Sequence, residues 1–203
     1  PAPAEIACQG ESFVPYLSEA QIDRRIAEIA EALTEAYDGR RPIFVGVLNG
    51  AFMVLADLLR HLSIDCEVDF LKLSSYGAEK ISRGEVTELK RVDADLEGRH
   101  VVVVEDIVDT GLSMQYLLDR LRPHAPRTLR TVTLLHKPGA REHEAPLDYV
   151  GFEIPDRFVI GYGMDYGQLG RNWPAIYVRA DEDGRGEELP APREPALPVA
   201  AEG

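Results

Sequence analysis

The stretch VVVVEDIVDTGLSM, residues 101–114, combines the features of a ligand site at the end of a β-strand. Its run of valines is typical of a central strand that is covered on both faces. The segment DTGLS then predicts a turn before a helix, and the unpaired amides of such a turn can bind an anion. Gly111 lets the anion approach closely, and the hydroxyls of Thr110 and Ser113 supply further donors.

Three carboxylates lie beside this predicted anion site: Glu105, Asp106 and Asp109. A bound phosphate would raise the proton affinity of Asp109, which suits a general base. Glu105 and Asp106 could accept hydrogen bonds from sugar hydroxyls or help to bind hydrated Mg²⁺. A sugar phosphate would satisfy all of these groups. The alternative is that one or two of the acids only cap the following helix.

The segments around this stretch alternate between strand and helix patterns from Pro42 to Lys137. This alternation predicts an α/β fold with a mainly parallel sheet, flanked by helices, whose ligands bind at the carboxyl ends of the strands. Upstream, residues 18–39 predict an amphipathic helix that begins with a capping box of Ser18 and Gln21. Downstream, three shorter segments predict edge strands added to the sheet: 149–155, 157–165 and 175–180.

Two polar segments fall outside this pattern. Residues 74–88, SSYGAEKISRGEVTE, contain too few apolar side chains to be buried and predict a projecting hairpin or a mobile lid. Residues 181–203 are rich in Pro, Glu and Ala and predict a disordered tail. We therefore expect one domain at residues 1–180.

Composition disfavours several classes of function. The 203 residues include 22 Lys and Arg against 35 Asp and Glu, and a net charge of -13 repels nucleic acid and anionic lipid. No stretch approaches the roughly 18 apolar residues of a membrane span. Cys8 and Cys66 lack zinc-ligand spacing and are expected to be free thiols. We expect a cytoplasmic protein that binds neither nucleic acid nor membrane.

The opening stretch also resembles the thirteen-residue phosphoribosyl pyrophosphate (PRPP) motif of type I phosphoribosyltransferases. Three further segments narrow the resemblance to the hypoxanthine and hypoxanthine-guanine phosphoribosyltransferases: LKLSSYG at 71–77, LLHKPGAR at 134–141 and YVGFEIPDRFVIGYGMDY at 149–166. The resemblance implies the type I phosphoribosyltransferase fold, with a flexible active-site loop at about 74–88. It also implies a small hood formed by about residues 1–17 and 149–178.

The implied reaction belongs to purine salvage. A member of this family transfers the phosphoribosyl group of PRPP to N9 of hypoxanthine or guanine and releases pyrophosphate. Asp109 would remove the proton from N7 of the purine. Glu105 and Asp106 would hold the ribose hydroxyls and help to bind Mg²⁺, the expected cofactor. The 5′-phosphate would be bound by five consecutive residues: Asp109, Thr110, Gly111, Leu112 and Ser113.

The resemblance also assigns the purine pocket. Lys137 would donate to the oxygen at C6 of the base. Tyr149 would stack on the ring, and the backbone of Val150 would read the edge of the base. Asp156 would lie in the same pocket and coordinate a second Mg²⁺ ion.

The pyrophosphate end would be formed by a loop with a non-proline cis peptide between Leu48 and Asn49, followed by Gly50. Many members of the family carry Lys where this chain has Asn49, so this loop lacks one positive charge. Arg171 would contact the pyrophosphate, for which a guanidinium is suited.

Several expectations concern closure, partners and alternatives. Ser75 and Tyr76 would close over the reacting centre and exclude water. Members of the family form homodimers or homotetramers. One alternative is an RNA-binding transcriptional regulator with the same fold, against which the charge argues. Another is an enzyme for xanthine, adenine or a pyrimidine, although Lys137 favours a 6-oxopurine over adenine.

Overall fold

The alternating segments form strands and helices in the computed structural model, which describes residues 3–73, 88–180 and 191–198. Ten strands follow in chain order: β1 (Ile6–Cys8), β2 (Glu11–Leu17), β3 (Ile43–Leu48), β4 (Glu67–Leu73), β5 (Glu88–Lys90), β6 (His100–Val108), β7 (Thr128–His136), β8 (Tyr149–Glu153), β9 (Val159–Ile160) and β10 (Ile176–Arg179). The α-helices of the described residues are α1 (Glu19–Ala36), α2 (Phe52–His61) and α3 (Leu112–Leu121), and short 3₁₀ turns lie at Arg122–His124 and Pro138–Ala140.

Six strands form the central sheet in the order β5-β4-β3-β6-β7-β8, and all except β5 run parallel. The valines of β6 are fully buried and alternate between its two faces. Val102 and Val104 pack in the core that includes α1 and α2, whereas Val101 and Val103 pack with α3. This arrangement confirms the predicted α/β fold. It also brings the carboxyl ends of β3, β6 and β7 to one edge.

A second, antiparallel sheet forms the hood, in the order β1-β2-β10-β9. Two segments that were predicted as additions to the central sheet, 157–165 and 175–180, instead supply the hood strands β9 and β10. The edge-strand prediction is confirmed for residues 149–153, which form β8 at the edge of the central sheet, although the resemblance had placed them in the hood. Gly161, at φ +98°, is where the chain bends after β9, and the hood has its own small core around Phe13, Ile160 and Tyr177.

The prediction that residues 181–203 are disordered is wrong for residues 191–198. Arg193 and Glu153 exchange two backbone hydrogen bonds of 2.8 and 3.0 Å at the end of β8. Glu194 forms an ion pair with Arg24 of α1, and Leu197 packs against the main core. This segment therefore binds to the open edge of β8, which explains its order despite its polar composition.

Replacing Arg25 with Met is expected to lower the free energy of unfolding by about 3 kcal/mol, because buried acceptors lose their donor. The Arg25 side chain is buried, and it donates to the carbonyl oxygens of Gly151 (2.8 Å), Val150 (3.0 Å) and Pro195. Urea unfolding would measure the change. Arg24→Met is the matched control, since this exposed neighbour forms only surface ion pairs and should have a much smaller effect. Equal effects of the two substitutions would contradict the prediction.

Three remaining expectations concern the cysteines, membrane-spanning helices and the predicted flexible loop. Cys8 and Cys66 are free, as predicted. Within the described ranges, no helix is long and apolar enough to cross a membrane. Ser75 and Tyr76 lie outside the described residues.

Candidate active site

The register of β6 and β7 brings the predicted general base next to the predicted purine lysine. Val108 pairs with His136, and the amide of Lys137 donates to the Val108 carbonyl oxygen at 3.0 Å. Asp109 and Lys137 therefore follow at neighbouring strand ends, and Nζ of Lys137 lies 2.7 Å from Oδ1 of Asp109. The Lys137 side chain is 8% exposed, whereas that of Asp109 is 50% exposed. A buried cation thus holds a carboxylate that remains accessible to a ligand.

The turn after β6 has the geometry of an anion site. Gly111 adopts φ +85° immediately before α3 and has no side chain to cap that helix, and the Leu112 amide donates to the Thr110 hydroxyl at 3.4 Å. A Cβ on residue 111 would lie 2.5 Å from the His143 carbonyl oxygen, so the position requires glycine. The Thr110 carbonyl accepts from the amides of Glu142 and His143, which fixes the turn against the loop after β7. A cavity of about 110 Å³ is lined by Glu105, Ile107, Val108, Asp109, Thr110, Gly111, Ser113 and Met114.

Glu105 and Asp106 form a pair of adjacent, hydrogen-bonded carboxyl groups beside this turn. Burial raises the pKa of Glu105 well above its usual range, and the neighbouring Asp106 charge and a hydrogen bond between the two carboxyl groups raise it further. Burial also raises the pKa of Asp106, although the hydrogen bond with Glu105, hydrogen bonds from the backbone of Ile107 and Asp106 and, last, the charge of Arg171 oppose this. The pair therefore holds a proton more strongly than two separate carboxylates would. A cation or a set of hydroxyl donors would stabilise its ionised form.

Replacing Glu105 with Gln is expected to stabilise the empty protein at neutral pH. Because folding raises the pKa of Glu105, the unfolded chain loses this proton at a lower pH than the folded protein does. The carboxyl group therefore has no cost below about pH 4, the pKa of an unfolded glutamate, and lowers the stability of the wild type increasingly above it. Urea unfolding should give a higher midpoint for Glu105→Gln at neutral pH and no difference near the acid end.

Glu144→Gln is the control for this prediction, because Glu144 is an exposed glutamate on the nearby loop. Its midpoint should follow that of the wild type across the pH range. A lower midpoint of Glu105→Gln at neutral pH would show that the Glu105 carboxylate stabilises the fold.

The loop after β3, residues 48–50, packs against the carboxyl pair of Glu105 and Asp106. The peptide between Leu48 and Asn49 is cis, as the resemblance implied. A Cβ on Gly50 would lie 1.8 Å from Oδ2 of Asp106, so this glycine is what allows the loop to pack against the acid pair. Asn49 is exposed.

The hood contributes Arg171 to this end of the site. Its Nη1 donates to the Gly163 carbonyl oxygen at 2.7 Å, and its Nη2 lies 2.6 Å from Oδ1 of Asp165. A Cβ on Gly163 would lie 2.1 Å from the Gly50 carbonyl oxygen, so the hood backbone packs directly against the loop after β3. The structure therefore brings Arg171 towards Gly50 and Asp106. Asp165 was missed in the sequence, although it lies within the segment that carries the resemblance.

The structure does not bring Tyr149 and Val150 to the site. Tyr149 pairs with Val132, about 13 Å before the end of β7, and is buried in the main core. Burial raises its pKa to about 12. The carbonyl of Val150 accepts a hydrogen bond from Arg25. Stacking by Tyr149 and reading of the base by Val150 are therefore incompatible with the fold, and both assignments are corrected.

Asp156 and Phe158 lie on the connection that follows β8. The Asp156 carboxylate is 3.5 Å from Nζ of Lys137 and 65% exposed, so it lies beside the lysine and not with the carboxyl pair. Phe158, two residues later, is 39% exposed, and its ring forms a T-shaped contact with that of Tyr166 at a centroid distance of 5.2 Å. Phe158 was missed in the sequence because stacking on the base was assigned to Tyr149, the aromatic residue at the start of the segment 149–166. Pro155, which follows the end of β8, was the signal that later residues reach the carboxyl edge.

Comparison with known proteins agrees with this site. A family model for the phosphoribosyl transferase domain matches residues 16–167. The chain is 42% identical over 162 residues to the hypoxanthine-guanine phosphoribosyltransferase of Bacillus subtilis, covering 80% of this chain and 90% of that protein. It is 43% identical over 162 residues to the hypoxanthine phosphoribosyltransferase of Escherichia coli, with coverages of 79% and 91%.

A solved structure gives the same result. The crystal structure of a hypoxanthine-guanine phosphoribosyltransferase from Bacillus anthracis matches with a TM-score of 0.77 and 39% identity, and the match covers 81% of this chain and 96% of that one. The match of the family model over most of the chain, together with the PRPP-type turn, establishes that this chain belongs to the phosphoribosyltransferase family.

Proposed function

We propose that this protein transfers the 5-phosphoribosyl group from PRPP to N9 of hypoxanthine, and of guanine, with release of pyrophosphate. The observation that carries the proposal is the ion pair of Lys137 and Asp109 directly beside the anion-binding turn. A 6-oxopurine presents N7–H beside C6=O, which needs one acceptor and one donor about as far apart as these two groups. Relatives named hypoxanthine phosphoribosyltransferases support the same substrate.

In the proposed mechanism, Asp109 accepts the proton of N7 while N9 attacks C1′ of PRPP. Its exposed carboxylate can reach a ligand, and its partner Lys137 remains buried and fixed. The amides of residues 111–113 and the Thr110 and Ser113 hydroxyls hold the 5′-phosphate, as does the positive end of the α3 dipole. These fixed groups place C1′ next to N9, which lowers the barrier by orientation.

Glu105 and Asp106 are the groups that would hold the ribose hydroxyls and, with them, Mg²⁺. Their donor chemistry fits a divalent cation, since two crowded carboxylates gain from a positive charge. Among the described residues no group of three or more Asp, Glu, His or Cys is placed to hold a metal, so most ligands would come from PRPP and water. When bound, Mg²⁺ would neutralise the charge of the departing pyrophosphate.

The base would lie between Lys137 and the hood. Lys137 donates to the oxygen at C6, which the 6-amino group of adenine cannot replace as an acceptor. In place of Tyr149, we assign stacking on the base to Phe158, whose exposed ring follows Asp156 at the same edge. The carboxylates of Asp156 and Asp109 both contact the Lys137 ammonium group, and the role of Asp156 is to hold that group in place.

The pyrophosphate would lie over Leu48, Asn49 and Gly50, with Arg171 supplied by the hood. Because Asn49 is uncharged, Arg171 carries the positive charge that this loop lacks. Asp165 fixes the guanidinium through its 2.6 Å contact.

A PRPP-dependent assay with hypoxanthine, guanine, xanthine and adenine in turn tests the proposal. We expect nucleotide and pyrophosphate to form with hypoxanthine and guanine, and no product with adenine. If nucleotide forms with xanthine and with none of the other bases, xanthine is the substrate in place of hypoxanthine and guanine. The absence of any nucleotide, together with salt-sensitive binding of RNA in a gel-shift assay, would favour the regulatory alternative.

A further inference from the structure

Tyr162 packs in the main core, and its hydroxyl forms a short hydrogen bond between the hood and the central domain. Its hydroxyl donates to Oδ2 of Asp57 on α2 at 2.5 Å, between residues 105 positions apart in the chain. The Tyr162 ring is 3% exposed, and its backbone has φ +48°, which is uncommon for a residue with a side chain. Burial and the Asp57 carboxylate both raise the pKa of the Tyr162 hydroxyl, so it remains a donor. The side chain is therefore held in one position, with its hydroxyl against α2.

Each end of this hydrogen bond is connected through its own segment to the proposed pyrophosphate site. On one side, Asp57 is on the helix that begins directly after the loop of residues 48–50. On the other side, Tyr162 precedes Gly163, which lies so close to the carbonyl oxygen of Gly50 that a side chain would not fit. The hydrogen bond thus spans the same boundary as the close approach of Gly163 to Gly50.

Arg171 depends on the same segment for its position. Gly163 and Arg171 are joined twice, since the Gly163 amide donates to the Arg171 carbonyl at 2.9 Å and the guanidinium donates to the Gly163 carbonyl at 2.7 Å. The Tyr162 amide also donates to the Trp173 carbonyl at 2.8 Å. A shift of Tyr162 would therefore move Arg171 relative to Asn49, where this chain has no charge of its own.

We propose that Tyr162 and Asp57 are a positioning pair, which holds the hood against the loop of residues 48–50 so that Arg171 meets the pyrophosphate group of PRPP. This inference rests on the proposed function and adds two residues that do not touch the substrates. Because the purine is held by Lys137 and Phe158 at another part of the site, the pair acts on binding of PRPP and not of the base.

Steady-state kinetics of Tyr162→Phe test the proposal, since this change removes only the hydroxyl. We expect the KM for PRPP to rise about tenfold, the size of effect for one hydrogen bond to a charged group. The KM for hypoxanthine and kcat should stay within about twofold of the wild type. Asp57 has a side chain 31% exposed, so water can solvate it and the midpoint of unfolding should change little.

Three further variants separate a positioning role of the pair from general support of the fold. Tyr177→Phe is the matched control, because Tyr177 is a buried hood tyrosine whose hydroxyl donates to the Pro3 carbonyl at 3.2 Å, away from the pyrophosphate loop. It should leave the KM for PRPP unchanged. Asp57→Asn keeps an acceptor for the hydroxyl and should restore most of the affinity that Asp57→Ala loses.

Hydrogen exchange gives a readout that does not require activity. Amides of residues 161–173 should exchange faster in Tyr162→Phe than in the wild type, while those of β1 and β2 should not. If the wild type forms no nucleotide, the proposed function fails. Calorimetry then tests the pair by itself, by comparing the affinity for pyrophosphate of the wild type with that of Tyr162→Phe. An unchanged KM for PRPP, an equal rise of both KM values, or unchanged exchange would overturn the proposal.

Discussion

Asp109→Asn is expected to lower kcat about 10³-fold, the largest effect of any single substitution predicted for this protein. Asparagine has the shape of aspartate but cannot accept the proton of N7, so the attack of N9 on C1′ loses its general base. The KM for PRPP should change only a few-fold, because the amides of the turn and the start of α3 remain in place. Steady-state kinetics with hypoxanthine as the varied base would measure both values.

The control is Asp119→Asn, which changes an exposed carboxylate on α3, paired with Arg122 at 2.6 Å. It should leave kcat unchanged. Asp109→Glu keeps a base of similar strength and should recover part of the activity. If Asp109→Asn keeps more than about a tenth of the wild-type kcat, the assignment of Asp109 as general base is wrong.

Lys137→Met is expected to lower kcat/KM for hypoxanthine about 10- to 100-fold, since one hydrogen bond from a charged donor is lost. Methionine fills nearly the same volume at this buried position, so the strand ends should keep their register. The substitution also leaves the Asp109 carboxylate without its ammonium partner at 2.7 Å. Activity would have to be followed with hypoxanthine and adenine under the same conditions.

The comparison of the two bases decides the role of Lys137. If the lysine reads the oxygen at C6, its loss should weaken the discrimination against adenine, because the penalty for the 6-amino group disappears with the donor. An unchanged ratio of the two activities would mean that Lys137 only supports the fold. A drop in the midpoint of unfolding, with no change in the ratio, would lead to the same conclusion.

Much of the fold could be predicted because its signals are local. The valine run of β6, the following DTG turn and the capping box at Ser18 each depend on residues within a few positions of one another. The adjacency of Asp109 and Lys137 also follows from strand ends that meet at one edge of a parallel sheet. The cis peptide after Leu48 was inferred from the resemblance and not from any local pattern.

The errors arose where position depends on distant contacts. The segment of residues 149–166 contains Tyr149 and Phe158, and either aromatic could stack on a base. Only the register of β8 with β7 shows that Tyr149 lies deep in the core while Phe158 lies beyond the strand end. The predicted tail failed for a similar reason, because Arg25 and the open edge of β8 provide partners that its own composition does not reveal.

By itself, then, the sequence determined the α/β class, the PRPP-type turn and the identity of the acid and the lysine at the strand ends. The tertiary structure alone decided that Tyr149 is buried in the core while Phe158 lies beyond the strand end, where Asp156 lies, and that Arg171 is joined to Asp165 and to Gly163, the residue that packs against Gly50. The physical reason is that periodicity and turn chemistry act over a few residues. The order of the strands and the docking of the hood join groups more than a hundred residues apart, as in the bond between Tyr162 and Asp57.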